Sequence, residues 1–228
     1  MNDPQPHTNR QFEEELRALR TWLLKMGGMI ERQINDAVNS LVNRNSAEAR
    51  EVIAHDAEVN RMDIDIEALC LRLLALRQPA AGDLRFITTG LKIDYDLERI
   101  GDLAVNICER ALELNEEPIL SYYIDIPRMA SLAESMVRDS LDAFLRGDCE
   151  LAQRVMERDD EVDQLNGQIF RDLLSYMAEN PQAISRGARI LFISKNLERI
   201  ADHASNVAEM VMFMVKGKTI RHMDKSKQ

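Results

Sequence analysis

Little in this chain interrupts a helix. Among 228 residues there are 9 glycines and 6 prolines, and aromatic residues make up 5%. Too few turn formers are present for a sheet protein of many short strands, and the abundance of Leu, Ala, Glu and Arg favours long helices. Three cysteines (Cys70, Cys108, Cys149) lie far apart with no C-x-x-C pair, which excludes a disulfide framework and points to a reducing compartment. No run of about 18 apolar residues is present, so no membrane span is expected. The polar start MNDPQPHTNR has no apolar core of a signal peptide, and a cytoplasmic location is expected. Positive charge is also short: the net charge is -10, which argues against nucleic-acid binding, since phosphate contacts need a Lys and Arg surplus. No Gly-rich phosphate loop, Ser-His-Asp set or reactive-cysteine setting occurs, so no enzymatic role is expected.

What the chain does have is a helix written twice. LKIDYDLERIGDLAVNICE (91–109) and LFISKNLERIADHASNVAE (191–209) share ten identities in nineteen positions at an offset of 100. The shared residues include Glu98/Glu198, Asp102/Asp202 and Asn106/Asn206, which apolar periodicity alone would not keep in register. Asp56, Glu58 and Val59 likewise match Asp159, Glu161 and Val162 at an offset of 103. The chain is a tandem duplication in which each copy carries a Glu-x-x-x-Asp-x-x-x-Asn stripe.

Apolar spacing at three and four predicts six helices, at about 10–43, 46–78, 84–115, 127–146, 149–178 and 182–216. Asn45 and Asp83 suit N-caps, Pro79 ends the second helix, and Gly217 suits a C-cap. Gly27-Gly28 marks a bend or a close helix contact. Residues 116–126 break the helical register. The expected organisation is all-α: two tandem three-helix bundles related by a pseudo-twofold internal repeat, at 10–117 and 127–217, with a linker at 118–126 and a basic tail at 218–228. Short turns favour antiparallel neighbours.

On a helical wheel Leu97, Ile100, Ala104 and Ile107 form the apolar seam, and Glu98, Asp102 and Asn106 lie roughly 100–180° from it. The stripe is expected on a flank open to solvent, with Asp94 between flank and seam. In antiparallel hairpins Asp63 would stand level with Glu98 and Asn60 with Asp102. Asp163 would stand level with Glu198 and Asp159 with Asp202. Asp56, Asn60 and Asp63 share a face of the second helix, as do Asp159, Asp163 and Asn166 of the fifth. Clustered carboxylates repel one another unless a cation or an arginine compensates. Carboxylate and amide oxygens without thiolates suit Mg, Mn, Ca or Fe, with Zn also possible. The alternative is a solvated acidic face balanced by Arg99 and Arg199. His203 reads as a packing histidine rather than a ligand, and a ferritin-like centre lacks its Glu-x-x-His repeat.

Leu97-Glu98-Arg99-Ile100-Gly101-Asp102 and Leu197-Glu198-Arg199-Ile200-Ala201-Asp202-His203, with Leu76-Arg77-Gln78-Pro79 and Asp83-Leu84-Arg85, resemble the paired signatures of the PhoU family over about residues 10–217. The resemblance implies a negative regulator of phosphate uptake and phosphate-starvation signalling. It implies an adaptor between the ATPase subunit of a phosphate ABC transporter and a sensor histidine kinase, commonly dimeric, in peripheral association with that membrane complex. It also implies a divalent or multinuclear metal (Fe, Zn, Mn or Mg) at Glu98, Asp102, Glu198 and Asp202. Asp94, Asn106, Asn206, Asp63, Asp163 and Asp159 are possible further ligands. A metal-dependent hydrolase or a metal-storage bundle is the alternative. Asp94 is matched by Ser194, so the two sites should differ.

Overall fold

The computed structural model describes residues 6–120 and 125–217, with side chains from Arg10 onward. The helices are α1 (Pro6–Val42), α2 (Ser46–Arg77), α3 (Ala81–Asn115), α4 (Asp125–Arg146), α5 (Cys149–Glu179) and α6 (Ile184–Lys216), with a 3-10 turn at Pro181–Ala183. Within the expected linker, 121–124 lie outside the described residues, as does the basic tail 218–228.

The caps explain most of the boundaries. Asn45 Oδ1 accepts from the Glu48 amide at 3.3 Å. Asp148 Oδ1 accepts from the amides of Glu150 and Leu151 at 3.0 and 2.9 Å. Gly217 closes α6 in the left-handed conformation at φ 65, which glycine adopts without a Cβ penalty. Two boundaries differ from expectation by more than two residues. α1 begins at Pro6 rather than near Arg10, because proline at the first helical position gives up only an amide that has no partner there. α3 begins at Ala81 behind Ala80, which offers no side-chain cap. Asp83 therefore sits inside the first turn, where its carboxylate faces the positive end of the helix dipole.

α2 packs on α1 and α3, and α5 packs on α4 and α6. The two three-helix units then join through α3 against α6 and α1 against α4, with α1–α3 and α4–α6 completing an inner layer. Leu19, Leu23, Met26, Ile30 and Ile34 of α1 are fully buried, following the spacing of three and four that the sequence showed. Leu97 and Leu197 are fully buried at matching places in α3 and α6. Each such side chain contributes about 1.5–3 kcal/mol by leaving water. Gly27 marks a close contact: a Cβ there would run into Leu141 Cδ1 of α4. Cys70 and Cys108 are buried free thiols, pushed up to about 12 chiefly by burial, and so are inert. Among the described residues no helix is long and apolar enough to cross a membrane.

Candidate metal centres

The duplicated stripes lie on a flank that is only partly open: Asp102 and Asp202 reach solvent, but their neighbours do so less. Asp94 is 1% exposed and Glu198 9%, because α2 and α5 lie against the sides of α3 and α6 that carry the acids. A wheel drawn for one packing seam misses this second contact. Asp102 and Asn106 are half-buried, Asp202 is exposed, and Asn206 is half-buried.

In the first half, α3 supplies Asp94, Glu98 and Asp102, and α2 supplies Asp56, Asn60 and Asp63. The pairing differs from the expected heights by about one helical turn. Asp63 bonds to Asp94 while its charge still reaches Glu98, and Asp56 lies within reach of the Asp102 charge. The cause is the hairpin: α2 stops at Arg77 with Gln78 in the left-handed conformation at φ 45, so the turn is centred earlier than expected. Burial, then Asp63, Glu67 and Glu98, push the Asp94 carboxyl up to about 8. Glu98 is raised by burial and then by Asp102, with Arg99 opposing. Arg99 Nε lies 3.2 Å from Glu98 Oε2 and its Nη1 2.9 Å from Asp102 Oδ2. That guanidinium is nearly half exposed, so solvent screens its compensation. Asp56 is raised by burial; its Oδ2 accepts from Asn60 Nδ2 at 3.0 Å. Buried Asp94 Oδ1 and Asp56 Oδ1 have no hydrogen-bond partner.

The second half is built on the same plan with fewer acids. Where the first half has the Asp63–Asp94 carboxyl pair, Ser194 Oγ donates to Asn166 Oδ1 at 2.9 Å, a neutral contact. Asp159 is pushed up to about 6 by burial, then by Asp202, with Ser205 opposing. Asp202, although exposed as a residue, is raised by partial burial and then by Glu198 and Asp163. Asp159 and Asp202 are thus brought level, as expected. Glu198 takes an ion pair from Lys195, and its buried Oε2 has no partner.

Among the described residues no three His, Cys, Asp or Glu side chains already converge as a formed metal site. Each half instead gathers acidic oxygens, among them the raised carboxyls of Asp56, Asp63, Asp94 and Glu98 in the first and of Asp159 and Asp202 in the second, with some buried oxygens left unpartnered. That donor set fits a hard cation, which would let the carboxyls ionise. His203 turns away from this set: its Nδ1 lies 2.7 Å from Asp96 Oδ1 of α3, bonding the two halves together.

Two features were not singled out from sequence. Gln33, on α1, is 5% exposed beside Asp56, whose carboxyl its amide helps to hold down, and Gly101 lets the three helices close up there, since a Cβ would stand 3.1 Å from Ile30 Cδ1 and 3.4 Å from both Asp56 Oδ1 and Gln33 Oε1. Both could have been found as breaks in the repeat, since Met136 and Ala201 stand at the corresponding positions.

The PhoU domain profile matches residues 23–111 and 126–211, two segments that each hold one acidic stripe. The chain belongs to the PhoU family. It is 44% identical to the phosphate-specific transport system accessory protein PhoU homolog of Pseudomonas aeruginosa, over 95% of this chain and 90% of that protein. It is 38% identical to the phosphate-specific transport system accessory protein PhoU of Escherichia coli K12, over 95% and 90%. The crystal structure of PhoU from Pseudomonas aeruginosa superposes with a TM-score of 0.88, covering 91% of this chain and 100% of that one at 44% identity. The phosphate transport system regulatory protein PhoU from Streptococcus pneumoniae gives 0.86 at 29% identity, covering 92% and 99%. The two-bundle PhoU fold is therefore this chain's fold.

Proposed function

We propose that this chain is an accessory regulator of a phosphate-specific transport system that holds phosphate uptake and starvation signalling down when phosphate is plentiful. The observation that carries the reading is end-to-end similarity: relatives named as accessory proteins of that system match 95% of this chain and about nine-tenths of their own length. The adaptor would work from the cytoplasm as a homodimer, touching the transporter's ATPase subunit and a sensor histidine kinase at the membrane complex. Glu98 and Asp102 in the first half, and Glu198 and Asp202 in the second, would hold divalent metal (Fe, Zn, Mn or Mg). Asp94, Asp63, Asp159, Asp163, Asn106 and Asn206 are the nearby further donors. The metal would supply the positive charge that the raised carboxyls lack, tying α2 to α3 and α5 to α6. No enzymatic step is assigned to it.

The test is deletion of the gene in its own host. Alkaline phosphatase should become constitutive in high phosphate and return to repression when the gene is restored. Repression that persists without the gene, with uptake unchanged, would sink the reading.

A further inference from the structure

We propose that Arg99, backed by the ring of Tyr95, is a built-in counter-cation of the first acidic site: its guanidinium holds the two carboxylates, Glu98 and Asp102, that a metal would hold, so a metal loads there only by displacing it. This inference rests on the metal-binding reading above.

Arg99 Nε lies 3.2 Å from Glu98 Oε2, and Nη1 lies 2.9 Å from Asp102 Oδ2. One planar fork therefore spans two acids that stand a helical turn apart. Its charge also bears on Asp63 of α2, so acids from two helices lean on one side chain. A guanidinium and a divalent cation answer the same need, because crowded carboxylates ionise freely only beside positive charge. Each oxygen that the fork takes is one fewer for a metal. The hold is loose enough to break. Arg99 is nearly half exposed, and ion pairs open to solvent are weak and screened by salt. What keeps the fork in place is Tyr95, one turn back: the guanidinium carbon lies 5.2 Å from the centre of its exposed ring, a cation–π distance.

The repeat supplies the control. Arg199 stands at the same place in the second stripe, yet it is exposed and, among the described residues, takes part in no ion pair. The place of Tyr95 is filled by Lys195, which offers no ring and pairs with Glu198 itself. Its charge reaches Asp202 without bridging to it. The same motif thus carries two different counter-cations: a fork across two acids in the first half, and a single ammonium on one acid in the second.

The experiment titrates Mn²⁺ into the metal-stripped full-length chain by calorimetry and by the electron paramagnetic resonance of the free ion, at low and at high salt. Arg99→Gln and Arg199→Gln remove the same charge from matching positions. Arg99→Gln should tighten one class of Mn²⁺ binding by about tenfold, and Arg199→Gln should change neither class by more than about twofold. Tyr95→Leu should tighten the same class by less, and should add nothing in the Arg99→Gln background. Lys195→Gln should tighten the other class. If Arg99→Gln fails to fold, Arg99→Lys decides the matter, since an ammonium cannot fork two carboxylates and should tighten Mn²⁺ in the same direction. Equal shifts in Arg99→Gln and Arg199→Gln would reduce the effect to net charge and overturn the proposal. Weakened Mn²⁺ binding in Arg99→Gln would also overturn it, because a residue that orients ligands for the metal costs about 10–100-fold when lost. Binding that disappears in Glu98→Ala but is unchanged in the Arg99 variants overturns the counter-cation and leaves the metal reading standing. No Mn²⁺ bound by the parent or by any variant overturns both.

Discussion

Asp94 carries a fully buried carboxyl held up at about 8 against an ordinary value of 3.8, first by burial and then by Asp63, Glu67 and Glu98. Between those two values the folded chain keeps a proton that the unfolded chain gives up. The folded state therefore binds more protons, and the free energy of unfolding falls as pH rises through this window. Asp56, Asp63 and Glu98 are raised too, as are Asp202 and, to about 6, Asp159, so they act with the same sign. Glu113, lowered by Arg189, is half-buried and acts only at more acid pH. In chelator, urea denaturation should give a higher midpoint at pH 6 than at pH 8. Asp94→Asn keeps the shape and a donor toward Asp63 without a charge to bury. It should flatten the profile and stabilise the chain at pH 8 by about 1–3 kcal/mol. A midpoint that climbs from pH 6 to pH 8 in chelator would show that the Asp94 carboxyl is not held protonated.

At the scale of the helix, neighbouring glycines of α1 have opposite uses. Gly27 lets α1 approach α4 so closely that a Cβ would overlap Leu141 Cδ1, a side chain that is itself buried, whereas a Cβ on Gly28 would meet nothing nearer than the Arg32 guanidinium at 4.0 Å. Gly27→Ala should destabilise by roughly 1–3 kcal/mol through overpacking. Gly28→Ala should stabilise by about 0.5–1 kcal/mol through helix propensity. Thermal melts of the two variants would separate these effects, and equal shifts would show that the close approach is wrong. The contrast also marks how far the sequence could be read. Both glycines stand out in the pattern, but only packing tells which one faces α4. The helices were legible because breakers are scarce and apolar spacing is regular. The start of α3 was not, because Ala80 caps it without a side-chain signal. The acidic stripes were legible through the repeat, while the burial of Asp94 and Glu198 was not. That burial comes from α2 and α5 lying across a second face of α3 and α6, and a wheel drawn for one seam assigns that face to solvent. Gln33 was hidden for the same reason, since its burial depends on α1 meeting α2 and α3 together.

At the scale of the molecule, the two halves are joined by a seam with the character of a core. Phe86 of α3 stacks on Phe144 of α4, with ring centroids 5.0 Å apart and planes 9° from parallel. Arg189 of α6 reaches Glu113 at 2.5 Å and Glu117 at 2.9 Å, and Arg85 Nε donates to the Met214 carbonyl at 3.1 Å. His203 and Asp96 close the middle of the α3–α6 contact. The seam lies close to the acidic stripes: Asp96 falls between Asp94 and Glu98, and His203 follows Asp202. Separating the halves would expose buried Leu103, Asp96 and Phe144 at once, and isolated bundles of this size bury too small a share of their surface to offset that loss readily. The metal-free chain should therefore unfold as one unit despite its duplicated architecture. In scanning calorimetry a single transition is expected, with calorimetric and van't Hoff enthalpies agreeing. His203→Leu, which installs the residue that the first half has as Leu103, and Asp96→Asn, which installs the counterpart Asn196, should be non-additive by about 0.5–3 kcal/mol when combined, because each single change strands the other partner. Two resolved transitions in the parent chain, or strict additivity of the pair, would mean that the halves merely touch and that neither acidic site is mechanically tied to the other.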